Sequence, residues 1–366
     1  MQFSLKRWLI SSTAAICVLG IIGRTQTPNA ATNRQDGASA ATQRTIQLSP
    51  FLSPEARDYL LYIAREHPFA GGPSASEDIK GYRAHQDAIM NWFLGPIRER
   101  YPVNVEEKTI DGVFTQIVTP KDGISPKNHD RVLLNVHGGG FVSGARTASL
   151  IESIPIASIE KIKVISIDYR MGPEYKFPAA DEDVAAVYSE VLKQYRPGHI
   201  GLYGCSAGGM LTSMSIAWFQ KHGLPSPAAI GILCASLGDM PADSREITYS
   251  IDSGQEIPAP PAEPGRTPRR GPAYLSDVSP TDPLAFPINS PTLMAKFPPT
   301  LFVTSTNGLE YASALNSDNA LVKAGVDAEL HVWLGLPHAF WYNSNLPESR
   351  DVYNVIANFF DRHLAR

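Results

Sequence analysis

An α/β fold built on a mostly parallel sheet is what this 366-residue sequence predicts, and three observations carry the expectation. Apolar runs of strand length stand at residues 131–136, 163–168, 199–203, 229–234, 300–304 and 329–333. Between most of them lie segments of helical character, such as 179–195 and 207–222, the latter stopped by Gly223. Strands that alternate with helices pair in parallel, because a parallel partner needs a crossover connection. The third observation is punctuation: glycines at 138–140 and on both sides of Ser206 follow two of these runs directly, where the chain has to turn tightly.

The elements can be justified in order from the N-terminus. Lys6 and Arg7 precede the apolar run 8–22, so residues 1–23 read as a signal peptide that is short for a spanning helix, with an uncleaved anchor as the alternative. Export to the periplasm or medium is the expectation, and membrane attachment follows only if that segment is retained. Residues 24–48, rich in Thr, Ala, Asn and Gln without an apolar period, read as a flexible linker. The folded domain is expected over 49–366. Ser53 before Pro54 signals a helix start leading into Tyr59, Leu60, Ile63 and Ala64. A second helix is expected from the spacing of Ile79, Tyr82, Ile89, Met90 and Phe93, ended or bent at Gly95-Pro96. Asp111-Gly112 signals a hairpin between two short strands within 103–118. The interval 238–290 breaks the alternation, and 12 of the 30 prolines fall between Pro258 and Pro299. It is expected to be an irregular excursion over the active-site side, with Tyr274 or Phe286 shaping a pocket, or else a plain surface loop.

Chemistry is concentrated at the two glycine clusters. Gly204, Cys205, Ser206, Ala207 and Gly208 stand between a strand and a helix, as a nucleophile elbow does, and such a turn exposes a serine hydroxyl to a base. The run His137-Gly138-Gly139-Gly140-Phe141 ends another strand and offers backbone amides. Amides of Gly139, Gly140 and Ala207 are the candidate oxyanion donors, each worth about 3 kcal/mol to a developing negative charge. His338 is the candidate general base among nine histidines, since it follows the last strand and comes after the serine in the chain. His137 and His331 are expected to be structural. Cys205, with Cys234 one of only two cysteines beyond the leader, is expected to be a small buried filler.

These stretches, together with residues 168–174, 177–180 and the region from Phe297 to Phe340, resemble the hormone-sensitive-lipase-like branch of the α/β-hydrolases, the family IV esterases. The resemblance spans roughly residues 50 to 366. It implies an eight-stranded, mostly parallel sheet flanked by helices, with an N-terminal helical cap that falls at 49–101. Many relatives carry aspartate where this chain has Cys205. The family's catalytic aspartate aligns with Gly308, which has no side chain to act. The imidazole still needs a carboxylate to fix its tautomer. Glu310, in the same strand-to-helix loop, is the expected substitute, and Asp318 the weaker alternative.

A serine esterase acting on short to medium acyl esters is therefore expected, with no metal and no organic cofactor. The substrate partner is a small ester or lactone. A formal charge of −4 speaks against nucleic acid, and a homodimer is compatible with the sequence. The alternative from another class is a catalytically weak or inactive protein of this fold that binds a small ligand. An acyltransferase or amidase would keep the same machinery.

Overall fold

Residues 48–238 and 273–365 are described by the structure, a computed structural model. The leader or anchor expected over 1–23, nearly all of the 24–48 linker and the middle of the Pro-rich excursion lie outside the described residues. Among the described residues no helix is long and apolar enough to cross a membrane.

The chain enters through α1 (Pro54–Glu66), where the Ser53 hydroxyl accepts from the amide of Ala56 at 3.0 Å, as its position before Pro54 predicts. Helix α2 (Ile79–Arg100) does not end at Gly95-Pro96, one of the two outcomes expected there, but continues through it. Proline removes one backbone donor, but Phe93 and Leu94 before it and Ile97 after it are all buried, so packing carries the helix past the missing bond. Both helices fall in the region expected for the cap.

Strands β1 (Val103–Ile110) and β2 (Val113–Pro120) form the expected hairpin. Asp111 and Gly112 have φ of 46° and 81°, the paired positive values of a type I′ turn. Then follow β3 (Val132–Val136), α3 (Ala148–Glu160), β4 (Lys163–Ile167), α4 (Ala179–Val191), β5 (Ile200–Cys205), α5 (Ala207–His222), β6 (Ala229–Leu233), the short α6 (Pro291–Met294), β7 (Thr300–Asn307), α7 (Tyr311–Lys323), β8 (Ala328–Pro337) and α8 (Pro347–His363). One eight-stranded sheet results, in the order β1-β2-β4-β3-β5-β6-β7-β8. Strand β2 is antiparallel to both its neighbours, and every other pairing is parallel.

Alternation along the strands divides the core into two layers. Leu133, Val164 and Tyr203 pack with α3, α8, α1 and α2. Leu134, Ile165 and Leu202 point the other way and pack with α4, α5 and α7. Because β3, β5 and β6 are buried on both faces, they read in sequence as continuous apolar runs. Two helices carried no motif that named them. Helix α3 is buried nearly all round, so it has no polar face to give a stripe, and it contains Pro155. Helix α8 does bury a helical stripe, including Val352, Ile356 and Phe360.

The described end of the excursion, from Ala273, forms short 3₁₀ turns at 273–275 and 287–289. Tyr274 is wholly buried, contrary to a pocket-lining role, and Phe286 is nearly so. The Tyr274 ring stacks on Phe141 at 4.9 Å, and its hydroxyl accepts from the amide of Ala180.

Candidate active site

Strand β5 delivers Ser206 at a sharp turn into α5. Ser206 has φ 57° and ψ −122°, a backbone region that costs a non-glycine residue of order 1–3 kcal/mol. Its amide donates to Leu233 O at 2.8 Å, which fixes the turn against β6. Glycine flanks it for a steric reason. A Cβ at Gly204 or Gly208 would overlap the carbonyl oxygen of Val136 at the end of β3.

His338 follows β8 directly and turns back through Ala339, which has φ 53°. Its Nε2 lies 3.0 Å from Ser206 Oγ, and its Nδ1 lies 2.6 Å from Glu310 Oε2. The carboxylate can only accept, so Nδ1 carries the proton and Nε2 faces the serine as an acceptor. Glu310 stands immediately before α7 and is wholly buried, its carboxylate turned to His338 and Thr304 rather than to the helix amides. Its other oxygen accepts from the Thr304 hydroxyl at 2.8 Å. Asp318, one turn and more into α7, makes no hydrogen bond to His338.

Gly308 explains how a glutamate reaches this place. A Cβ there would overlap Glu310 Oε1 and stand 2.8 Å from its Cδ. The space that a side chain at 308 would fill is the space the Glu310 carboxylate occupies. Glycine at 308 is thus a condition for the glutamate at 310.

The electrostatics follow from burial and pairing. Burial pushes the His338 imidazole toward neutrality, but the hydrogen bond and charge of Glu310 outweigh it and leave its pKa above 6.5. Burial likewise raises the Glu310 carboxyl, and here the His338 bond, the imidazole charge, a backbone amide and Thr304 together hold it below the ordinary carboxylate value. Cys234 brings its sulfur, with the His338 and Glu310 ligand atoms, into a group all within 4.8 Å of one another. That sulfur accepts from the Trp341 indole at 3.3 Å, and the imidazole and carboxylate are bonded to each other.

The glycine loop has the conformation that aims amides outward. Gly139 and Gly140 have φ of 118° and 65°, and Gly139 O accepts from the amides of Val142 and Ser143. Among the described residues, no protein acceptor takes the amides of Gly139, Gly140 or Ala207. His137 is buried behind the loop, with Nδ1 2.7 Å from Gly138 O and its ring stacked on Tyr169. Burial lowers its pKa. The Tyr169 hydroxyl donates to His137 O at 2.6 Å, so the 168–174 stretch buttresses the loop. His331 lies along β8, away from this cluster and 3.6 Å from Glu329. Cys205 is buried and unbridged, as a packing residue should be. Tyr342 carried no signal in the sequence, since it acts through Glu152, a partner remote in the chain.

A serine, an imidazole and a carboxylate in hydrogen-bonded series define the class of hydrolases with an activated hydroxyl. The α/β-hydrolase fold family model matches residues 133–342, and the chain belongs to that family, in its hormone-sensitive-lipase-like branch. It is 29% identical over 239 residues to an acetyl-hydrolase of Streptomyces hygroscopicus, covering 64% of this chain and 77% of that protein. A solved esterase, E25, superposes with a TM-score of 0.73 at 26% identity, covering 88% of this chain and 98% of that one. A bacterial esterase of the hormone-sensitive lipase family gives 0.68 at 26% identity, covering 86% and 99%.

Proposed function

We propose that this chain hydrolyses carboxylic esters of short to medium acyl chain through an acyl-serine intermediate. It is a carboxylesterase-type enzyme. The single observation that carries the mechanism is the continuous series Glu310–His338–Ser206, with links of 2.6 and 3.0 Å. Ser206 Oγ attacks the ester carbonyl while its proton passes to His338 Nε2. Amides of Gly139, Gly140 and Ala207 receive the oxyanion. His338 then gives the proton to the leaving alcohol, and the C–O bond of the ester breaks. Water attacks the acyl-serine, returns a proton through His338 to Ser206, and releases the acid.

Glu310 keeps the imidazole in the tautomer that can accept, and its charge stabilises the imidazolium as it forms. The name of the Streptomyces relative, an acetyl-hydrolase, supports a short acyl group. An intact relay favours turnover over the ligand-binding alternative. Export through the N-terminal segment is proposed with it, on the basic pair and apolar run that begin the chain.

Hydrolysis of a p-nitrophenyl ester series from acetate to decanoate tests this. Turnover highest at short to medium chains, and lost in Ser206→Ala, is the expected result. Undiminished turnover in Ser206→Ala would contradict it.

A further inference from the structure

Glu152 of α3 takes part in none of these steps, yet it is wholly buried beside them. Four donors converge on its carboxylate. Oε1 accepts from the amide of Gly138 at 2.8 Å and from the Tyr342 hydroxyl at 2.5 Å. Oε2 accepts from Asn135 Nδ2 at 2.8 Å and from the amide of Cys205 at 3.2 Å. Tyr203, meanwhile, donates to the carbonyl of Glu152 at 3.0 Å.

Each donor belongs to a different part of the site. Gly138 opens the glycine loop, Cys205 immediately precedes Ser206, and Tyr342 stands at the end of the turn begun by His338. Asn135 lies at the end of β3, under the loop. Burying a carboxylate carries a large desolvation cost, which here is offset by four donors drawn from separate segments. Two oxygens that only accept suit four converging donors.

We propose that Glu152 is a positioning residue of the esterase, holding the oxyanion amides, the nucleophile turn and the histidine turn in one register. The inference rests on the esterase reading above. The groups facing the carboxyl are Asn135 from β3, Cys205 and Tyr203 from β5, Tyr342 from the histidine turn, and Tyr169 beyond β4, whose pKa burial and then Glu152 raise. None is a cation. Burial therefore raises the Glu152 carboxyl, its hydrogen bonds pull it back, and it titrates at about 7. The clamp tightens as it ionises.

The test compares wild type, Glu152→Gln and Tyr342→Phe with p-nitrophenyl butyrate, normalising kcat to serine titrated by a fluorophosphonate. Normalisation removes any loss through misfolding. In Glu152→Gln, kcat per titrated serine falls about 10- to 100-fold while KM stays within about threefold. The acid limb of its pH profile also drops from a slope of about two to about one, since only His338 still titrates. Tyr342→Phe lowers kcat less and keeps the steeper slope. If Glu152→Gln yields no soluble protein, a reduced kcat per titrated serine in Tyr342→Phe supports the role and an unchanged one overturns it. Glu152→Gln with kcat per titrated serine within about twofold of wild type overturns it too. Wild type that neither labels nor turns over would instead overturn the esterase reading itself, so the two failures are distinguishable.

Discussion

Two buried glutamates frame the nucleophile, and their environments differ in one respect. Glu310 faces an imidazole that can take a positive charge, whereas Glu152 faces only neutral donors. Both are wholly buried, so both are penalised for being charged. The imidazole holds Glu310 below the ordinary carboxylate value, while Glu152 is left at about 7. Hydrogen bonds alone, even four of them, do not replace a countercharge. One glutamate is therefore fitted to stabilise a developing cation, and the other to hold geometry.

Removing the charged partner should break this contrast most severely. Glu310→Gln is expected to lower kcat about 10³- to 10⁴-fold, with KM little changed. It should also move the acid limb of kcat/KM. His338 must be neutral to accept the serine proton, and Glu310 holds its pKa above 6.5, so wild type loses activity as pH falls through a value above 6.5. Without the carboxylate the downward push of burial loses its main opponent, with Cys234 the lesser raising influence left, and the midpoint shifts to lower pH. A pH-rate profile checks both effects, and an unshifted midpoint would mean that another group carries the role.

Gly308→Ala sharpens the comparison by moving Glu310 without removing it. The new methyl overlaps the carboxylate, and a displacement near 1 Å lowers kcat by up to about 100-fold. Steady-state kinetics on folded variant will report it.

Glu152 should then show its character in stability as well as rate. Its folded pKa lies above the unfolded value, so its favourable contribution is present below about pH 4.5 and lost as pH rises through 7. Relative to Glu152→Gln, wild type should lose about 3 kcal/mol between those limits. Urea unfolding of both proteins at pH 5 and pH 8 measures the difference, and parallel curves would refute a buried titration at this residue. Thr304→Val, which removes one bond to Glu310, is the mildest change, at about 1 kcal/mol or roughly fivefold in kcat.

Much of the front of the site was legible in the sequence, and little of its back. Ser206 and the glycine loop are local patterns, because the backbone turn that exposes them demands glycine nearby. His338 followed from chain order. Glu310 was legible only as a substitute for an acid missing at Gly308, and the structure turns that absence into the reason the substitute fits. Glu152 was invisible, since its partners at 135, 138, 205 and 342 meet only once the sheet has formed. The central strands were legible as buried apolar runs bounded by turns and the exposed β1 only through its hairpin turn, while β7 and β8 run three and four residues past their apolar runs, into the turns that carry Glu310 and His338. Helix α3 gave no stripe because it has no exposed face, and α2 continues past Pro96 because tertiary packing overrode its local cost.

Peptide mapping after fluorophosphonate treatment tests the relay most directly. The geometry predicts a single adduct on Ser206 of wild type, formed far more slowly in His338→Ala and in Glu310→Gln. An adduct on another residue, or labelling of Ser206 that neither substitution slows, would contradict it.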